Sequence, residues 1–151
     1  MSLRQKILFK MINYWPPFWG AGIHVDYISD DFRAIDVSLK LRFWNRNYVN
    51  TQFGGSLYSM TDPFYMLMLM RILGSEFIIW DKSASIRFKK PGRSKVFARF
   101  RLDEEKILEL KQELTTKEKI EPILHVLVVD ENNEVIAEVD KLLYIRRKKS
   151  T

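Results

Sequence analysis

The most regular pattern in the chain is the alternation of apolar and polar residues over 34–43, which predicts a strand with one buried and one solvated face. Similar runs of β-branched, aromatic and apolar residues predict further strands at 23–29, 76–90, 95–102, 120–130 and 134–146. Turn-forming residues separate several of these runs, as at Pro91-Gly92 and Glu131-Asn132-Asn133. Short turns between strands favour antiparallel pairing, so we expect an antiparallel sheet.

Two segments outside the strands have the periodicity of amphipathic helices. Residues 2–14 place apolar side chains on one face and end before Pro16-Pro17, because proline cannot donate the next backbone hydrogen bond. Residues 103–118 are rich in Glu, Lys and Leu and begin with Asp103, a suitable N-cap. We therefore expect an N-terminal helical extension over 1–19 and a surface helix inserted between strands.

The most apolar segment, 55–73, predicts a long central helix that ends at Gly74. Pro63 lacks the N–H that would bond to the Ser59 carbonyl, so a kink is expected there. A helix that is apolar on nearly every side must be covered on most sides. One curved antiparallel sheet wrapped around this helix meets that need, giving an α+β fold in a single domain over 1–151.

Composition narrows the class of protein. With 46% apolar and 29% charged residues, the 151-residue chain is typical of a folded globular domain. The absence of cysteine excludes disulfides, thiolate nucleophiles and Cys-ligated metal sites. The longest apolar run, 63–70, is far shorter than the roughly 20 residues of a membrane span, which argues against membrane association. Lysine and arginine interrupt residues 1–13, so no secretory signal is recognised and a cytoplasmic location is expected.

The net charge of +6 suits an anionic partner without choosing one. No nucleic-acid-binding motif and no stripe of alternating aromatic and basic residues is present, so nucleic acid is not an expected partner. Part of the positive charge lies at Lys141 and in the basic tail 146–151, which we interpret as a solvated end of the chain.

The most specific motif lies in the loop before the central helix and reads Asn47-Tyr-Val-Asn-Thr-Gln-Phe-Gly-Gly-Ser-Leu-Tyr-Ser-Met-Thr-Asp62. It resembles the signature of hotdog-fold thioesterases of the PaaI-like branch, where Asn, His-Gly-Gly and Asp occur at the same spacing. It is especially similar to an uncharacterised group of that superfamily, in which Phe-Gly-Gly replaces His-Gly-Gly and Asp-Pro follows. Residues 85–92 also resemble the strand and Pro-Gly turn that follow the central helix there.

The resemblance implies a hotdog fold and hydrolysis of an acyl-CoA or acyl-carrier thioester. No metal and no cofactor are expected, except the coenzyme A that forms part of the substrate. Free N–H groups of Gly54 and Gly55 can hold the oxyanion that forms on the thioester carbonyl. Asp62 can orient or deprotonate water or attack directly, and Asn47 can hold the water or the carbonyl.

Two residues beside the glycines are candidates for contact with the substrate. Phe53 stands where the thioesterases have histidine, so a polar group near the thioester carbonyl is missing. Gln52 is adjacent, although its side chain would point elsewhere if the backbone follows the family. The missing histidine supports a second interpretation, a non-catalytic module that binds acyl thioesters or lipids. A third, a peripheral membrane or interaction protein, rests on the basic N-terminal helix and on Trp15, Phe18 and Trp19 after it.

Asp62-Pro63 has a purely structural alternative. Asp is a preferred N-cap and Pro is favoured at the first helical position, so the helix could begin at Pro63 with Asp62 as its cap. The sequence leaves both roles of Asp62 open.

A cluster of basic residues surrounds the turn at Pro91-Gly92; its members are Arg87, Lys89, Lys90, Arg93 and Lys95. In the resembling enzymes the nucleotide lies across the outer surface near the pocket mouth, which implies a binding site for the phosphates of coenzyme A. The alternative is a solvated sheet edge. Arg87 and Lys89 would share one face of an alternating strand.

The predicted fold also has consequences for assembly. A hotdog protomer leaves a sheet edge and one flank of its central helix uncovered, and both are strong dimerisation surfaces. The resembling proteins place their sites between two subunits. We therefore expect a homodimer or a homotetramer.

Overall fold

The computed structural model describes residues 11–148, and its strands and helices follow the order that the sequence predicts. The strands are β1 (Ile23–Ile28), β2 (Ala34–Leu39), β3 (Phe77–Phe88), β4 (Val96–Arg101), β5 (Lys119–Ile120), β6 (Ile123–Asp130) and β7 (Val135–Arg147). The α-helices are α1 (Pro16–Ala21), α2 (Gly54–Ser59), α3 (Phe64–Leu73) and α4 (Glu104–Thr116), and a 3-10 turn spans Ile12–Tyr14.

The strands form one antiparallel sheet in the order β1-β2-β4-β6-β7-β3, and β5 pairs with β7. The alternation in β2 has the predicted effect, because Ile35, Val37 and Leu39 are fully buried. The sheet curves around the central helical segment, whose residues Met60, Phe64 and Met68 are also fully buried. This is the hotdog fold, so the predicted α+β class is confirmed.

The central helical segment is interrupted rather than merely kinked. It consists of α2 and α3, and between them the Ser59 carbonyl accepts a hydrogen bond from the Asp62 N–H at 3.2 Å. The cause is Pro63, which has no N–H to donate the next hydrogen bond of the helix. The Pro63 carbonyl then accepts the first regular bond of α3, from the Leu67 N–H at 2.9 Å. Asp62 therefore lies at a break in the core helix.

Two departures from the predicted strands have a clear local reason. The strand predicted over 34–43 ends at Leu39, because the buried Asn45 side chain binds the Lys40 carbonyl and the Arg42 N–H and folds the chain into a loop. The strand predicted over 120–130 is divided at Pro122 into β5 and β6. The surface helix α4 begins as predicted, with Asp103 accepting a hydrogen bond from the Lys106 N–H at 2.8 Å.

Both chain ends differ in part from the prediction. Most of the helix predicted over 2–14 lies outside the described residues, and its last turn, Ile12–Tyr14, is a 3-10 turn. The predicted tail begins too early, because Arg146 and Arg147 belong to β7 and pair with β3. Within residues 11–148, none of the helices combines the length and apolar character required to cross a membrane.

Candidate active site

The two glycines of the motif begin α2, and aromatic rings lie against both of them. A Cβ on Gly54 would lie 3.0 Å from the Phe88 ring, and a Cβ on Gly55 would collide with the ring of Phe53. The first N–H groups of the helix that find a partner are those of Ser56 and Leu57, which both donate to the Phe53 carbonyl. The N–H groups of Gly54 and Gly55 donate to no residue that the structure describes, so they are free to bind an oxyanion.

A cavity of about 390 Å³ lies beside Gly54. Its walls include Asn47, Gln52, Leu57 and Phe88. Asp62 is not among the residues that line this cavity.

Asn47 holds the loop that leads to the glycines. Its side-chain oxygen accepts hydrogen bonds from the N–H groups of Val49 and Thr51, at 3.1 and 3.0 Å. Its side-chain nitrogen donates to the Thr51 hydroxyl at 2.8 Å and to the Gln52 carbonyl at 3.3 Å. These four bonds use the full capacity of the amide. Asn47 therefore fixes the loop shape, and its assistance in chemistry stays a prediction.

Gln52 is buried rather than presented to solvent. Its side-chain nitrogen donates to the carbonyls of Leu39 at 3.2 Å and Ser94 at 3.0 Å, and its side-chain oxygen has no partner among the described residues. A Cβ on Gly92 would lie 2.9 Å from the Gln52 side chain, so the glycine permits this close packing. Gln52 thus links three segments at the wall of the cavity. Phe53, in contrast, is 55% exposed.

Asp62 does not cap a helix. Helix α3 has no side-chain bond at its N-cap, which is Pro63. Instead, the Asp62 carboxylate accepts a hydrogen bond from Lys141 Nζ at 2.8 Å, while its side chain remains 48% exposed. The capping interpretation of Asp62 is not supported by this geometry, and a carboxylate held in place with one side open to solvent is available for chemistry.

Lys141 is the residue that holds Asp62, and its side chain is only 1% exposed. It lies on the inner face of β7 between Val139 and Leu143, which are both buried. Its second ion-pair partner is Asp81, at 3.4 Å, and its ammonium lies 5.5 Å from the centre of the Tyr58 ring. An unpaired buried ammonium would be strongly disfavoured, so these partners explain why lysine is tolerated there.

A β-bulge brings Asp81 to Lys141. Asp81 pairs with Leu143, and after the irregularity Ala84 pairs with Lys141. Leu143 and Lys141 both face the core, so the extra residue at Lys82 allows Asp81 to face inward as well.

Burial shifts the ionisation of this cluster. Burial opposes the charge of Lys141, but the hydrogen bond to Asp62 and the charges of Asp81 and Asp62 outweigh it and raise the pKa of the ammonium. The pKa of Asp81 is raised, chiefly by burial and also by the nearby Asp62 charge, against the opposing effect of Lys141. The cluster is thus two carboxylates that share one buried cation.

Most of the predicted phosphate-binding residues have acidic partners. Arg87 is an exposed residue of β3, whereas Lys89 and Lys90 follow that strand and line the cavity at Gly54. Arg87 pairs with Asp140 at 2.7 Å and with Glu138 at 3.2 Å, and Lys89 also pairs with Glu138. The remaining pairs are Lys90 with Glu134 at 2.9 Å and His125 with Asp140. Arg93 is exposed and forms no ion pair with a described residue. We call Arg87, Lys89, Lys90 and Arg93 the β3 strip, and phosphate binding by these four residues stays a prediction.

Comparison with known proteins places the chain in a family. The family model described as "Domain of unknown function (DUF4442)" matches residues 4–145. The chain belongs to this family. Among proteins of curated function, none matches the sequence of this DUF4442 protein.

Solved structures resemble this DUF4442 protein over nearly its whole length. A Pseudomonas aeruginosa protein of unknown function, described as "Probable Thioesterase", is 20% identical with a TM-score of 0.81, covering 98% of this chain and 99% of that one. A thioesterase from Haemophilus influenzae is 12% identical with a TM-score of 0.68, covering 97% and 92%. The PaaI protein of the phenylacetic acid degradation operon of Escherichia coli is 14% identical with a TM-score of 0.62, covering 99% of both chains. At these identities the likeness shows the hotdog fold alone.

Sequence reasoning about this DUF4442 protein missed Lys141, which we had interpreted only as part of the basic C-terminal region. A signal was present, because Ala137, Val139, Leu143 and Ile145 occupy every second position of an apolar face except position 141, where Lys141 stands. A lysine at a core position of a strand predicts a buried acidic partner. Nothing in the local sequence identifies that partner as Asp62, which is 79 residues away.

Proposed function

We propose that this protein hydrolyses acyl thioesters, with Asp62 as the general base or nucleophile. The observation that supports it best is the contact between Asp62 and Lys141. A core lysine holds a half-exposed carboxylate at the break between α2 and α3, close in sequence to two glycines with free N–H groups. Burying a lysine adds little to the stability of a fold. It is useful in a site where a carboxylate must be held in one position.

The proposed reaction uses these groups in sequence. Asp62 removes a proton from water while the water oxygen bonds to the thioester carbonyl carbon. The N–H groups of Gly54 and Gly55 hold the resulting oxyanion. The tetrahedral intermediate then collapses, the C–S bond breaks, and the departing thiolate takes the proton from Asp62. The products are a carboxylic acid and a free thiol.

A steady-state screen tests this proposal directly. Purified protein is assayed for thiol release from short, medium, long and aromatic acyl-CoA thioesters, and we expect turnover with at least one class. Absence of hydrolysis together with micromolar binding of an acyl-CoA would instead identify a binding module.

The arrangement of the site supports a composite active site between two subunits. Asp62 lies outside the cavity at Gly54 of its own chain, and β3 pairs only with β7 among the described strands. The other edge of this 12-residue strand is therefore available to a second copy. We propose a homodimer, or a homotetramer built from such dimers, in which Asp62 of one subunit serves the glycines of the other. A cytoplasmic location stays a prediction.

Mixing two inactive variants tests the composite site. Asp62→Asn removes the carboxylate, and Gly54→Val fills the cavity beside Phe88. Each homodimer should be inactive, but a mixed dimer contains one intact site and one doubly altered site. Random mixing after dissociation should therefore restore about a quarter of wild-type turnover, as expected for a two-fold symmetric dimer.

The control for this mixing experiment is the double variant Asp62→Asn/Gly54→Val mixed with either single variant, which should stay inactive. Sedimentation should give a mass of at least twice the 18.0 kDa chain. No recovery from a mixture that demonstrably contains mixed dimers would place the whole site within one chain.

One observation favours the alternative of a non-catalytic acyl-thioester or lipid-binding module. The ring of Phe53 packs against Gly55 where the resembling thioesterases have histidine. An imidazole there could bind the carbonyl or water, and such a group typically contributes on the order of 10²-fold or more. We therefore expect Phe53→His to raise kcat at least about tenfold if the site is catalytically weak.

Phe53→Ala is the matched control, because it removes the ring without adding a polar group. If Phe53→Ala and Phe53→His raise kcat equally, the ring hinders access and histidine adds no chemistry.

A further inference from the structure

A second and larger concave surface lies on the outer side of β1 and β2. It has a volume of about 730 Å³. Its lining includes two tryptophans and three cations, namely Trp19, Lys40, Arg42, Trp44 and Lys95. We refer to it as the outer groove.

The wall of the outer groove is fixed by buried hydrogen bonds. Asn45 is buried, and its side chain donates to the carbonyls of Ala21 and Lys40, both at 2.8 Å, and accepts from the Arg42 N–H at 2.7 Å. Gly22 adopts φ +81°, and a Cβ there would collide with Asn45. These contacts hold the loop that bears Lys40, Arg42 and Trp44 against the start of β1.

The cations of the outer groove lack the acidic partners that the β3 strip has. The Arg42 guanidinium lies 5.0 Å from the centre of the Trp44 ring, and Lys95 Nζ lies 4.9 Å from that of Phe97. Neither these two nor Lys40 forms an ion pair with any residue in 11–148. The one acidic residue in the lining, Asp26, is paired with His24 at 2.9 Å. The groove is therefore a positive surface that an anion can enter without displacing a carboxylate.

Two further features indicate a ligand that is more than a simple anion. Ser38 lines the groove, and its hydroxyl has no hydrogen-bond partner among the described residues. A serine hydroxyl can donate to a phosphate oxygen. Trp19 and Trp44 are both largely exposed, and indole rings stack on planar bases. Cations, a hydroxyl and exposed indoles together suit a phosphorylated nucleotide.

Gln52 connects the outer groove to the cavity at Gly54. Its side chain lines that cavity, and its nitrogen donates to the carbonyls of Leu39 and Ser94. The next residues along the chain, Lys40 and Lys95, line the groove. The groove and the cavity are therefore adjacent through Gln52 and its bonded neighbours, although they share no lining residue.

We propose that the outer groove binds the phosphorylated nucleotide of a coenzyme A carrier. This inference rests on the proposed function for its place in the reaction, but the groove can be tested without any hydrolysis. It assigns the phosphates to Lys40, Arg42 and Lys95 rather than to the β3 strip, and it favours coenzyme A over a carrier protein.

Calorimetric titration with free coenzyme A tests the groove. The variant Lys40→Gln/Arg42→Gln/Lys95→Gln should raise the Kd at least about tenfold, because charge-assisted contacts to phosphate are lost. The matched control Lys106→Gln/Lys111→Gln/Lys117→Gln removes the same charge from α4 and should change the Kd by less than about twofold, since distant exposed charges are screened. Far-ultraviolet circular dichroism confirms that both variants fold.

Kinetics add a second readout. Relative to wild type, the groove variant should lose at least about tenfold more kcat/KM on an acyl-CoA than on the N-acetylcysteamine thioester of the same acyl group, which has no nucleotide.

If wild type hydrolyses neither thioester but the groove variant loses coenzyme A binding, the groove inference stands and hydrolysis fails. If both thioesters are hydrolysed but coenzyme A binding is equal in the groove and control variants, the groove inference is overturned and hydrolysis stands. It is also overturned if Lys89→Gln/Lys90→Gln weakens coenzyme A binding and the groove variant does not.

Discussion

Asp62→Asn should lower turnover of a good acyl thioester substrate by about 10²–10⁴-fold while KM changes by less than about threefold. The amide that replaces the carboxylate can still accept the hydrogen bond from Lys141 Nζ, so the local geometry is kept. It cannot take a proton from water, so the loss falls on the chemical step.

Asp103→Asn is the matched control for this substitution. Asp103 is a true helix cap whose carboxylate accepts the Lys106 N–H at 2.8 Å, and asparagine caps equally well. Turnover and melting temperature should therefore stay near those of wild type. Asp62→Asn itself should lower the melting temperature by only a few degrees, because Asp81 still pairs with Lys141. Turnover of Asp62→Asn within about threefold of wild type would exclude Asp62 as base or nucleophile.

Local patterns in the sequence predict most of this fold because each depends on neighbouring residues. The alternation in β2 fixes which side chains face the core, and the absence of an N–H on Pro63 predicts a kink at the place where the structure has a full break between α2 and α3. The limits of the elements are less predictable. The end of β2 depends on Asn45, whose partners include the distant Ala21 carbonyl, and such contacts are not visible in a local pattern.

The candidate site is predictable in part for the same reason. The spacing of Asn47, Gly54 and Asp62 lies within one segment, so sequence comparison can find it. The cluster around Lys141 joins α2, β3 and β7 through the sheet register and a bulge at Lys82, and one residue of slip would turn Asp81 outward. The register of the strands also decides which basic residues form ion pairs. Arg87 lies opposite Glu138 and pairs with it, whereas Lys40 has no acidic partner among residues 11–148.

Lys141→Met should destabilise the protein by about 3 kcal/mol at pH 7, because it removes the cation that lies between Asp62 and Asp81 while keeping a side chain of similar volume. Asp62 can turn to solvent, but the Asp81 side chain is only 20% exposed and keeps an uncompensated charge. Lys111→Met, on the exposed surface of α4, is the control and should leave the melting temperature nearly unchanged.

The deficit of Lys141→Met should shrink as the pH falls. Burial already raises the pKa of Asp81 above its ordinary value of 3.8, and removing Lys141 takes away the charge that opposes this shift. A carboxyl group whose pKa is higher in the folded than in the unfolded state stabilises the fold below the unfolded pKa, and this contribution is lost as the pH rises through the folded pKa. The melting temperatures of Lys141→Met and wild type should therefore converge between pH 7 and pH 4. Adding Asp81→Asn to Lys141→Met should recover much of the lost stability at pH 7 and flatten the pH dependence, because the amide has no charge to bury. A pH-independent deficit that Asp81→Asn does not relieve would mean that Lys141 acts by packing rather than by its charge.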